Sequence, residues 1–262
     1  MSTWILLRGL TRESRHWGNF PGIFCREVPS AGVYAPNLPG NGDLCAQPSP
    51  SRVDAMMADV RAQLISQGIA PPYHLLAMSL GAMVAVAWAA RHPDEIRGCV
   101  LINTSLRPFS PFYRRLRPGS YARLLKLALF GGSARDWESS ILDLTSRHAV
   151  NADETLQDWI AYRQQYPVSA HNAWRQLLAA ARYRAPLAKP DVPILILASR
   201  NDALVDPSCS RQLAINWPSG FAEHPTAGHD LPLDDGPWVA RQVALWVSNL
   251  AGKTQQGVTP VG

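Results

Sequence analysis

Cysteine is scarce in this chain. It occurs four times in 262 residues, at positions 25, 45, 99 and 209, with no C-x-x-C pair. That usage argues against a disulfide framework and for a reducing compartment. Long apolar runs are missing as well: no stretch reaches the roughly 20 residues that a membrane-spanning helix needs. Met1-Ser2-Thr3 opens without the basic segment and apolar run of a secretory leader. A cytoplasmic location is the resulting expectation. His16, His148 and His171 have no ligand spacing and read as capping or surface residues, so no metal is expected. No nucleic-acid recognition motif accompanies the net charge of +5, which sets nucleic-acid binding aside.

What is present is enough to build one large core. Hydrophobic residues make up 47% of the chain, and one elaborated α/β domain accounts for its length. Short apolar runs alternate with helical spacing, as a parallel sheet requires. Strands are predicted at Trp4 to Leu7, Gly32 to Ala35, Tyr73 to Met78, Arg97 to Asn103, Pro193 to Ala198 and Phe221 to His224. Between them, Arg52 to Gln67 carries helical spacing, Leu80 to His92 is an Ala-rich helix stopped by Pro93, and Trp238 to Leu250 is amphipathic. The Gly32 strand is expected at an edge. From Ser105 to Ala188 the alternation gives way to helical patterns, one around Leu124 to Phe130, one around Leu156 to Tyr162 and one around Trp174 to Ala181.

The most informative stretch is Tyr73-His74-Leu75-Leu76-Ala77-Met78-Ser79-Leu80-Gly81, a strand running into a serine between small residues and on into a helix. A serine on such a turn projects its Oγ above the sheet, and Ala77 and Gly81 let strand and helix approach closely. Asp202 follows the Pro193 strand, and His229 follows the Phe221 strand. A serine hydroxyl is a poor nucleophile until an imidazole takes its proton, and a carboxylate fixes the imidazole tautomer. Taken singly, Ser79 reads as a helix cap, Asp202 as a turn residue and His229 as a loop histidine. Their joint order and strand context favour catalysis, with Ser79 as nucleophile, His229 as base and then acid, and Asp202 as orienting acid. Asp206 and Asp230 compete for the acid role, and His224 for the base.

Ser, Asp and His in this chain order, each just beyond a strand, resemble the α/β-hydrolase family over nearly the whole sequence. The resemblance implies an α/β-hydrolase fold: a mostly parallel sheet of about six strands flanked by helices, with an inserted helical lid. Residues 1–104 and 189–250 would form the core, 105–188 the lid, and 251–262 a flexible tail. It further implies an oxyanion hole from the backbone N–H groups of Leu10 and Leu80. Arg8 stands where the family usually has His. Either it braces the loop through carbonyls, or it reaches the pocket with Trp17 and favours an anionic substrate.

The lid region holds twelve basic against six acidic side chains, so the net charge of the chain resides there. Arg114, Arg115 and Arg117 are its densest cluster. A solvated basic face is one reading. The other is attraction of an acidic acyl carrier protein or a coenzyme A ester. The implied activity is cofactor-free cleavage of a small-molecule carboxylic ester or thioester through an acyl-serine, carboxylesterase-like. The alternatives are a cofactor-free elimination enzyme and a non-catalytic binding protein on the same scaffold.

Overall fold

A computed structural model describes residues 2–121, 123, 132–149 and 151–256. The elements in chain order are β1 (Ser2–Leu7), α1 (Phe20–Glu27), β2 (Ala31–Tyr34), α2 (Val53–Ser66), β3 (Tyr73–Met78), α3 (Leu80–Arg91) and β4 (Ile96–Ile102). After these come α4 (Phe112–Arg115), α5 (Ala134–Thr145), α6 (Ala152–Gln165), α7 (Ala170–Arg182), β5 (Ile194–Ser199), α8 (Ser208–Asn216), β6 (Gly220–His224) and α9 (Leu231–Gln256). All six strands are parallel, in the order β2-β1-β3-β4-β5-β6, which puts the Gly32 strand at an edge as expected.

The inner strands read as nearly continuous apolar runs because both faces of the sheet are covered there, whereas the edge strands β2 and β6 are only partly buried. Ile5, Leu7, Leu75, Ala77 and Leu101 face one layer, with α2 and α3. Trp4, Leu6, Leu76, Met78, Val100 and Ile102 face the other, with α1 and α9. The chain reverses its strand order between β1 and β3, and in such sheets the crevice beyond the strand C-termini at that reversal is where ligands bind.

Two expectations need correction, and a third has no counterpart among the described residues. The helix pattern read at Leu124 to Phe130 lies outside the described residues. The tail drawn from 251 starts too early: α9 stays helical through Gln256, since a glycine at 252 costs an exposed helix only about 1 kcal/mol. That helix also begins earlier than its amphipathic pattern, at Leu231, and bends at Asp235 (φ −151°, ψ 71°), where Asp235 Oδ1 caps the restart by accepting the Trp238 N–H at 2.9 Å. Among the described residues, no helix is long and apolar enough to cross a membrane.

Two packing details make testable demands. A methyl group on Gly81 would lie 2.4 Å from the Leu7 carbonyl oxygen and 2.6 Å from that of Arg8, both backbone atoms that cannot swing away. Gly81→Ala is therefore expected to cost about 3 kcal/mol in chemical denaturation, and an unchanged midpoint would show that β1 and α3 do not pack this closely. The second demand concerns His74, which is buried on β3 and stacked on Trp4 with its Nδ1 unpartnered. Burial and the Arg97 charge lower its pKa from 6.5 to about 4. The unfolded chain thus takes up this proton first, and stability falls as pH drops from 6.5 towards 4. Between pH 7 and pH 5 His74→Phe should lose about 2 kcal/mol less than the wild type, and parallel losses would refute the assignment.

Candidate active site

Ser79 sits between β3 and α3 with φ 53° and ψ −118°, a conformation that L-residues rarely adopt. Such strain costs roughly 1–3 kcal/mol and persists only where the surroundings enforce it. Here the Ser79 N–H donates to the Ile102 carbonyl at 3.0 Å, and the Thr104 hydroxyl donates to the Ser79 carbonyl at 3.2 Å. Gly9 closes the other side: a Cβ there would stand 3.2 Å from Ser79 Cβ and 3.7 Å from Ser79 Oγ.

Asp202 and His229 meet. His229 Nδ1 lies 2.7 Å from Asp202 Oδ2, with both residues buried. A carboxylate only accepts, so Nδ1 carries the proton and Nε2 keeps a free lone pair. The other carboxylate oxygen, Oδ1, accepts the N–H groups of Leu204 at 2.8 Å and Val205 at 2.9 Å, which fixes the acid before it touches the imidazole. Among the described residues the Ser79 hydroxyl has no hydrogen-bond partner. In unliganded enzymes this bond is often long and tightens when substrate arrives. The N–H groups of Leu10 and Leu80 likewise meet no acceptor among the described residues.

The competing residues have other work. The Nδ1 of His224 accepts the Ala227 N–H at 2.9 Å, so its Nε2 bears the proton and lies 3.2 Å from Asp235 Oδ2. Asp206 accepts the Ser208 N–H at 2.9 Å, capping the start of α8. Asp230 takes Arg8: Nη1 to Oδ1 at 3.1 Å and Nη2 to Oδ2 at 2.5 Å, both side chains buried. Arg8 thus braces its loop through a carboxylate rather than through carbonyls, each terminal nitrogen donating one bond to Asp230. Trp17 lies beneath it, 4.8 Å from the guanidinium carbon and stacked on Phe20 within the α1 and α9 core layer, so it is core rather than pocket lining.

The arginine cluster also divides. Arg115 donates to the Ala180 carbonyl at 2.6 Å, and Arg117 donates to the Asp202 carbonyl at 2.8 Å. Both hold backbone, and burial lowers the pKa of Arg115. Arg114 is exposed beside exposed Phe112 and Tyr113.

Several supporting residues were not read from the sequence. Asn103 (φ 46°) donates from Nδ2 to Ser199 Oγ at 2.9 Å and to the His229 carbonyl at 2.8 Å, and accepts the Ser199 N–H at 2.8 Å. It binds the ends of β4 and β5 to the base loop. Gln176 on α7 is fully buried and accepts the Thr11 N–H at 2.8 Å, one residue beyond Leu10. Asp234 accepts the N–H groups of Gly228 at 2.6 Å and Arg147 at 2.9 Å, tying the base loop to the end of α5. His16 caps, as one of its two readings has it, its Nδ1 accepting the Glu13 N–H at 3.2 Å, but it is buried rather than at the surface, packed against Trp159 and Tyr162. Burial first, then the Arg12 and Arg8 charges, hold its pKa well below the ordinary value. An Asn after a strand or a Gln on an amphipathic helix has no local signature, so only their partners reveal them.

The family model described as the alpha/beta hydrolase fold matches residues 6–236. A pimeloyl-[acyl-carrier protein] methyl ester esterase of Chromobacterium violaceum is 29% identical over 228 residues, 81% of this chain and 84% of that protein. A protein of Serratia proteamaculans named as a carbamate hydrolase is 30% identical over 218 residues, 78% of this chain and 75% of that one. Among solved structures, a thermophilic esterase from Thermogutta terrifontis superimposes with a TM-score of 0.73 at 21% identity, over 95% of this chain and 90% of that one. The chain belongs to the α/β-hydrolase fold family and is a hydrolase of that fold.

Proposed function

We propose that this protein is a serine esterase or thioesterase working through an acyl-Ser79 intermediate, without metal or organic cofactor. The strained backbone of Ser79 carries the reading, because a serine serving only as a helix cap has no need of that conformation. Ser79 Oγ attacks the substrate carbonyl while His229 Nε2 takes its proton, and buried Asp202 stabilises the imidazolium. The developing oxyanion meets the N–H groups of Leu10 and Leu80, each worth about 3 kcal/mol in the transition state. His229 then protonates the departing alcohol or thiol, and water, deprotonated by the same imidazole, releases the acid. The helices between β4 and β5 act as a lid that shapes the acyl pocket.

The substrate class is a small-molecule ester or thioester. An acidic acyl carrier protein or a coenzyme A ester fits the basic insertion and the carrier-linked ester named for the Chromobacterium relative. Arg114 is the member of the cluster free to meet such a carrier.

Two measurements test this reading. With p-nitrophenyl esters from acetate to decanoate, the wild type should give a burst of phenolate equal to the enzyme present. Ser79→Ala should abolish the burst and lower kcat roughly ten-thousand-fold. Retained turnover in folded Ser79→Ala would reject the acyl-serine. For an anionic acyl thioester, Arg114→Ser should raise KM about threefold and flatten its salt dependence. Identical salt curves for the two proteins would remove Arg114 from substrate capture.

A further inference from the structure

We infer that Arg8 and Asp230 are a pair of positioning residues that locks the oxyanion loop to the base loop; the inference rests on the serine-hydrolase reading of the same site. The two side chains come from positions 222 apart and are both buried. Arg8 immediately precedes Gly9, which abuts Ser79, and is two residues before the Leu10 donor. Asp230 immediately follows His229. The pair therefore joins the element that presents an N–H to the reacting carbonyl with the element that presents the imidazole.

Stability alone does not explain the pair. Burying two ions gains little over an apolar pair of similar volume, because desolvation offsets the attraction, whereas removing one partner leaves an uncompensated charge. A guanidinium meeting a carboxylate through two nitrogens fixes distance and orientation together, which a single point charge does not. Both carboxylate oxygens of Asp230 are engaged by Arg8, and the Arg8 Nε is buried with no partner, so each residue depends on the other for its satisfaction. The backbone of Asp230 is held separately, its N–H donating to the Thr145 carbonyl at 2.7 Å. What the side chains add is the link to β1.

The test is a double-mutant cycle on the full chain: Arg8→Met, Asp230→Asn, the double variant and Arg8→Lys, each measured for denaturation midpoint and for kcat and KM on a p-nitrophenyl ester. Arg8→Met should be the least stable, since it strands a buried carboxylate. The double variant should recover most of that stability and yet keep kcat about 10- to 100-fold below wild type, with KM within about twofold, because misalignment by an ångström has a cost of that order. Arg8→Lys, which keeps the charge without the fork, should fall between. Wild-type kcat in the double variant would overturn the inference. So would a raised KM at unchanged kcat, which would make Arg8 a substrate contact, or a double variant unable to fold, for which a structural role suffices. Absence of ester turnover by the unmodified protein would instead overturn the hydrolase reading itself, and the inference with it.

Discussion

The loop leaving β1 is buried although it carries cations, and the assembly of the site depends on how those charges are matched. A lone guanidinium in the interior would cost several kcal/mol, so the loop can be buried only where other segments bring carboxylates to it. Asp230 meets Arg8 from the base loop, and Glu138 meets Arg12 at 2.6 Å from α5. Arg12 also lies over Trp159 of α6, 4.2 Å from the ring centre. The loop after β1 is thereby docked at once to the residue that follows His229 and to two helices of the insertion.

The same constraint extends to polar backbone. Turning the chain so that the Leu10 N–H stays unpaired puts Thr11 at φ 58° and turns its N–H inward, where Gln176 accepts it. Gln176 in turn donates to Asn41 Oδ1 at 2.8 Å and to Ser49 Oγ at 3.0 Å, while Asn41 donates to the Arg12 carbonyl at 3.1 Å. Buried polar groups in such a network are either all satisfied or costly. Against that background the N–H groups at Leu10 and Leu80 meet no acceptor among the described residues, which suits the oxyanion role proposed for them.

Most of the scaffold was legible in the sequence because its signals are local. Buried parallel strands give continuous apolar runs, and Ser79 and Asp202 each follow one, whereas His229 follows the partly exposed β6. Other features have no local mark. The helix Phe20–Glu27 begins Phe-Pro-Gly, which reads as a turn, yet proline is accommodated in a first helical turn and the helix forms because Phe20 and Phe24 bury against the sheet. Arg8 reads as a loop brace or substrate contact and Asp230 as a competing acid, but nothing in either neighbourhood says that they belong together. Arg115 and Arg117 read as part of a basic run, and only the carbonyls of Ala180 and Asp202 show two of the three cations holding backbone. Long-range polar pairing is set by topology after the chain has folded, and a one-dimensional pattern does not carry it.

The insertion is commonly treated as the part of such a fold that varies freely while the sheet edge keeps the chemistry. In this chain the two are bonded to each other by Gln176 and Glu138 at the loop after β1, and by Arg147 through Asp234 at the His229 loop. A change in α5 or α7 therefore also loads the segments carrying Leu10 and His229. Under the proposed function, these contacts would couple substrate choice to transition-state alignment, and the helices that shape the acyl pocket would also bear on the rate of the chemical step.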